Sequence, residues 1–313
     1  MASMLSGKHV WIWNWQRCDG GNPDAIAERL KAAGCAGAIV KAHDGPNWFD
    51  QGQPWREIGR ALKSHGLRVA GWGYLYGPAT GSGDWQGEAD RAIETIQYGE
   101  ADAYVLDVEA EFEGKADVAE AVCQRIREAV GPDYPLYYST FAIARYHRDF
   151  PYMAFERYCN GTLPQVYWNA FGRWPMGVAV AMTYDDYGAL GIGPERIFPV
   201  AGLYAEGRVP YPDPFDVIAF IDLVYQRRGG KEGGGLEGGC SFWSYEHMSD
   251  AMWQAVAANP WPVEGMPWTG WQSSDDGDGE LARLRQENAE LAGRIERGTG
   301  LAGELMKVLR GEA

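Results

Sequence analysis

The run AYVLDVEAEF, residues 103–112, decides how this sequence reads. A short apolar stretch carries three acids, Asp107, Glu109 and Glu111, toward its C-terminal end. Side chains alternate across a strand, so Asp107 and Glu109 point to one side, and Glu111 follows if the strand continues. Charges facing the interior of a sheet are expensive unless matched by a partner or kept for a task. The run is followed by DVAEAVCQRIREAVG (117–131), a stretch with helical periodicity stopped by a glycine.

The same strand-then-helix unit recurs on both sides. Upstream, HVWIWNWQ (9–16) precedes AIAERLKAAG (25–34), which has Asn22-Pro23-Asp24 as its start signal. AIVKA (38–42) precedes WREIGRALKSHG (55–66), and RVAGWGYLYG (68–77) precedes a helix over 84–98. Downstream, PLYYSTFA (135–142) leads to a helix near 152–159, and PQVYWNAF (164–171) to the less regular GVAVAMTYDDYGAL (177–190). IFPVAGLYAE (197–206) leads to DPFDVIAFIDLVYQRR (213–228), and CSFWSYEH (240–247) to SDAMWQAVAANP (249–260). An open doubly wound sheet shows the same alternation with fewer units. Eight units predict an α/β fold of the closed (β/α)8 TIM-barrel type over residues 1–262.

Two stretches fall outside the repeat. GGKEGGGLEGG (229–239) lacks the GK[ST] ending of a phosphate cradle and reads as a connector. Residues 263–279 read as a linker. Beyond them, Leu281, Leu284, Asn288, Leu291 and Ile295 form a heptad seam with one polar core position. That predicts a helical tail over 280–313, a candidate coiled coil. It would either pack back on the barrel or, through residues 281–309, make a homo-oligomer or dock a partner.

The formal charge of −15 opposes binding to nucleic acid or to an anionic membrane. The five cysteines are scattered without a CxxC pair, no HExxH or GxSxG motif is present, and no GxGxxG follows the first strand. No cofactor or metal is therefore expected. The N-terminal residues resemble neither a signal peptide nor a membrane span, so synthesis in the cytoplasm is expected, with any export by another route.

In a (β/α)8 barrel the chemistry sits where strands end. The predicted ends supply Trp13 and Asn14; Lys41 and His43; Tyr74 and Tyr76; Asp107, Glu109 and Glu111; Tyr138 and Ser139; Tyr167, Trp168 and Asn169; Tyr204 and Glu206; and Trp243, Tyr245 and Glu246. Acids and aromatics dominate this set, which suits a carbohydrate. Neighbouring carboxylates push their pKa values apart, leaving one proton donor and one anion, the division that glycosidic cleavage needs. The competing reading is that the acids pair with Lys41 or a loop arginine and only hold the mouth together.

The run YVLDVEAE, with YYST, PQVYW and SFWSYEH, resembles the lysozyme-type glycoside hydrolases of family 25 and their uncharacterised relatives, across about residues 9–260. The resemblance implies that Glu109 is the general acid. It also implies that Asp107 assists by positioning or stabilising the substrate's N-acetyl group, and that Trp243 and Tyr245 form an aromatic wall. The sequence departs from that pattern at Asn14 and Asn169, where acids are expected, and Glu206 or Glu246 would have to substitute. Two functions follow as expectations. One is a hydrolase of an N-acetylated, cell-wall-type polysaccharide. The other is a non-catalytic carbohydrate-binding or structural module of a phage tail or contractile-injection particle, attached through its C-terminal helix.

Overall fold

A computed structural model describes residues 3–49, 55–78, 84–99, 101–172, 174–228 and 237–262. The expected linker and helical tail lie outside the described residues. Eight parallel strands close into a barrel: β1 (Gly7–Ile12), β2 (Gly37–Asp44), β4 (Arg68–Leu75), β5 (Ala103–Val108), β6 (Leu136–Phe141), β7 (Gly161–Val166), β8 (Val200–Gly202) and β9 (Gly239–Trp243). Pairing runs β1-β9-β8-β7-β6-β5-β4-β2, and β1–β2 pairing completes the ring. The two-residue β3 (Asn47–Trp48) adds antiparallel to the end of β2.

The expected start and stop signals act as capping physics requires. Asn22 Oδ1 accepts from the backbone N–H of Asp24 and Ala25 at the head of α1 (Pro23–Ala32). Asp84 caps α3 (Trp85–Tyr98), Asp213 caps α8 (Pro214–Arg227) and Ser249 caps α9 (Asp250–Ala258). Gly34, which follows α1, has φ +65°, a conformation that β-carbons disfavour.

Strand alternation splits the core in two. Trp11, Ile39, Ala70, Trp72, Val105, Leu163 and Val200 fill the barrel interior. Val10, Val40, Leu106 and Val166 face the helical layer. Lys8, on that outer side and fully buried, donates to the carbonyls of Ala33, Val256 and Asn259. These close α1 and α9, so the ammonium sits at the negative ends of two helices. Burial lowers its pKa. Lys8→Met is expected to cost about 2–4 kcal/mol in denaturant unfolding, because three buried carbonyls lose their donor at once.

Candidate active site

At the C-terminal mouth, β5 ends at Val108, and Glu109 follows it. Asp107 is 6% exposed and Glu109 is half-buried. Both side chains accept from one amide: Gln165 Nε2, on β7, lies 2.9 Å from Glu109 Oε1 and 3.2 Å from Asp107 Oδ1. Ser139 Oγ, buried on β6, is 3.4 Å from the same nitrogen. Glu111 lies beyond the strand in the single turn Ala110–Phe112, where the Tyr74 hydroxyl donates to it at 2.9 Å.

Burial raises the Asp107 pKa well above the usual carboxylate range; Glu109 adds to the rise, while Lys41 and the Gln165 N–H oppose it. Burial also raises Glu109, with Glu111 adding to the effect and Gln165 and His147 opposing it. Two acids that each resist ionisation, tied through one donor, hold a proton between them more readily than isolated carboxylates do. Lys41 Nζ pairs with Asp44 Oδ2 at 2.7 Å and lies over the Phe49 and Trp72 rings at 4.5 and 4.9 Å. The ammonium is thus already partnered and does not form an ion pair with Asp107.

Below the acids, Trp243 meets Trp11 and Trp72 edge-on, at centroid separations of 5.8 and 5.5 Å. Nε1 of Trp11 donates to Ser241 Oγ and Nε1 of Trp72 to the Ile12 carbonyl, so the floor is both apolar and hydrogen-bonded. Tyr167, Tyr204 and Asn169 converge on Gly202, where a Cβ would meet all three within 3.1 Å. Burial raises the Tyr167 pKa, and the charges of Asp107 and Glu109 add to the rise. Asn169 Nδ2 donates to the carbonyls of Tyr204 and Pro210, and its buried Oδ1 has no hydrogen-bond partner among the described residues. Trp13, beside Phe49 and His247, and Tyr76, whose hydroxyl donates to Asp44, occupy the rim of β1 and β4.

Three side chains expected to face a sugar turn the other way. A register shift between Lys41 and His43 places two β2 steps against one of β4 and reverses the alternation. His43 is consequently fully buried, in the space that a Cβ on Gly73 would fill. Its Nδ1 bonds the Gly45 carbonyl and its Nε2 the Tyr104 hydroxyl, and burial lowers its pKa to about 4. Trp168 opens the short helix α6 (Trp168–Phe171), because β7 stops at Val166, and its ring packs on Phe220 of α8. Tyr245 falls in the turn Tyr245–His247 after β9; it packs on Trp253, and its hydroxyl donates to Asp19 at 2.6 Å.

The candidate substitute acids are also occupied elsewhere. Glu246 Oε1 accepts from the backbone N–H of Trp13 and Asn14, which fixes the end of β1. Asn14 Oδ1 in turn accepts from Gln16 N. Glu206 is exposed in a turn whose backbone pairs with Val209. Gln165 was not among the expected site residues, whereas Ser139 was expected at the end of its strand. Counting in twos from the interior Leu163 leads to Gln165 and Tyr167, a signal obscured by placing the end of that strand too late.

No family model matches the chain, and no curated protein matches it. Solved structures do. The spore cortex-lytic enzyme SleL of Bacillus cereus superposes with a TM-score of 0.59 at 10% identity, over 83% of this chain and 75% of its own. The chain shares its fold with that enzyme. A glycoside hydrolase family 18 N-acetylglucosaminidase from Paenibacillus barengoltzii gives a TM-score of 0.56 at 14% identity, over 80% and 99% of the two chains. A fungal endo-β-N-acetylglucosaminidase of family 18 gives 0.56 at 14%, over 80% and 95%. At such identities the likeness is one of architecture: a (β/α)8 barrel.

Proposed function

We propose that this barrel is a glycoside hydrolase acting on an N-acetylated, cell-wall-type polysaccharide. The observation that carries the reading is the pair Asp107 and Glu109, joined by one amide above a tryptophan floor. The glycosidase names of the structural neighbours agree with it, and two of them name N-acetylglucosaminidases. The family 25 resemblance adds the finer expectation of lysozyme-like specificity.

Glu109, the more exposed acid, gives its proton to the glycosidic oxygen as the C1–O bond breaks. The carbonyl oxygen of the substrate's own 2-acetamido group bonds to C1 from the opposite face. Asp107, deeper on the same side of β5, stabilises the positive charge that spreads onto the acetamido nitrogen. Water then attacks C1, the bond to the acetamido oxygen breaks, and Glu109 takes the water's proton, which restores the acid. Trp243 supplies the apolar surface under the sugar ring.

Reducing-sugar release from purified peptidoglycan and from N-acetylglucosamine oligomers tests the reading. Release from either supports it. Absence of both release and binding overturns it. Within this scheme Gln165 donates to both carboxylates and so favours their ionised forms. Gln165→Ala is expected to move both limbs of the pH–rate profile to higher pH and to lower the maximum about tenfold. A profile at the wild-type position would remove Gln165 from the proton chemistry.

A further inference from the structure

Tyr146 is 60% exposed, an unusual setting for a large aromatic ring. It lies in the turn Ala144–Tyr146 directly after β6, at the barrel end that carries the acids. The neighbouring residues hold this turn firmly. Arg145 donates to Asp186 from its backbone N at 2.8 Å and from Nε at 2.6 Å. The His147 ring stacks on Phe141 at 3.5 Å and 4°, and its Nδ1 lies 2.9 Å from Glu113. His147 also acts electrostatically on the candidate acid, opposing the burial-driven rise in the Glu109 pKa. The Tyr146 ring is thus displayed on a fixed turn one residue from a side chain that Glu109 senses.

A second loop meets it. Trp174, in the segment after β7 and α6, lies parallel to Tyr146 at 6.1 Å and 8°, and Phe171 braces Trp174 edge-on at 5.9 Å and 76°. Stacking on a ring from a separate loop fixes Tyr146 and leaves its exposed side as a flat apolar surface with a polar edge. The C–H faces of pyranose units fit such a surface, whereas an anionic ligand gains nothing from it. The two loops leave β6 and β7, the strands that carry Ser139 and Gln165.

We propose that Tyr146, backed by Trp174 and Phe171, is an outer sugar-binding platform for units of an N-acetylated polysaccharide lying beyond the acid pair. The proposal rests on the hydrolase reading and deepens it: the site would be built for chains rather than for single disaccharides.

The test compares affinities for N-acetylglucosamine trimer and hexamer, both measured by calorimetry in the Glu109→Gln protein so that neither is consumed. Tyr146→Ala is expected to lower the hexamer-to-trimer affinity ratio about tenfold, and Tyr146→Trp to restore it. An unchanged ratio with both oligomers still bound overturns the platform and leaves the hydrolase reading standing. An equal loss for both lengths also overturns it, by making Tyr146 a support of the loop. Absence of binding to either oligomer, with no release of sugar by the wild-type protein, overturns the platform together with the reading beneath it.

Discussion

Glu109→Gln is expected to lower sugar release by about 10²–10⁴-fold while the protein still folds and still binds oligomers. Glutamine keeps the shape of the side chain and an oxygen to accept the Gln165 N–H seen at 2.9 Å. What it lacks is a transferable proton. The loss should therefore fall on the chemical step, visible as a drop in kcat with little change in KM. Substrates with leaving groups that need no protonation should lose far less. Thermal melts beside the wild type establish that the fold is intact. Turnover at the wild-type rate would show that the proton comes from elsewhere, with Asp107 and Glu111 the nearest carboxyls to examine.

Asp107→Asn should separate activity from stability. The acid is buried, and its pKa lies well above the ordinary carboxylate value, chiefly because of that burial and then because of Glu109. A raised folded-state pKa means that stability is fully present below the unfolded value and is lost as pH rises through the folded one. Above the unfolded carboxylate value the wild-type protein therefore carries the cost of holding a proton on, or a charge within, a buried acid, and the asparagine variant does not. Asparagine retains an oxygen for the Gln165 N–H. The variant is expected to be more stable than wild type by about 1–2 kcal/mol above neutrality, a gain of several degrees in Tm. The difference should shrink as pH falls toward the carboxylate range. Hydrolysis should fall by about 10²–10³-fold, since a neutral amide does not stabilise a developing cation. A stability difference that does not change with pH would mean that Asp107 does not titrate as its burial requires.

Gln165 and His43 show where legibility in the sequence stops. The acids of 103–112 stand out because charge in an apolar run is costly and visible. Gln165 carries no charge, and its importance comes from a β7 position facing a β5 position 58 residues away. His43 looked like a mouth residue because a regular strand would have pointed it inward. One extra residue in the β2 ladder reverses its direction, and nothing local in AIVKAHD announces that shift. Trp168 and Tyr245 fail for a related reason. Both stand two residues past the true end of their strands, where the chain has already turned into a short helical turn.

The sequence by itself determined the barrel, its helix caps and the place of the acid pair. Hydrophobic periodicity, capping chemistry and strand alternation are local rules, and eight repeats of one unit leave few ways to close a parallel sheet. Only the tertiary structure decided which side chains meet at the mouth: Gln165 between the two acids, Trp243 on Trp11 and Trp72, and Glu246 and Lys41 already committed to other partners. Those contacts depend on register and on where each strand stops. Both are set by packing between segments far apart in the chain, so a local pattern does not contain them.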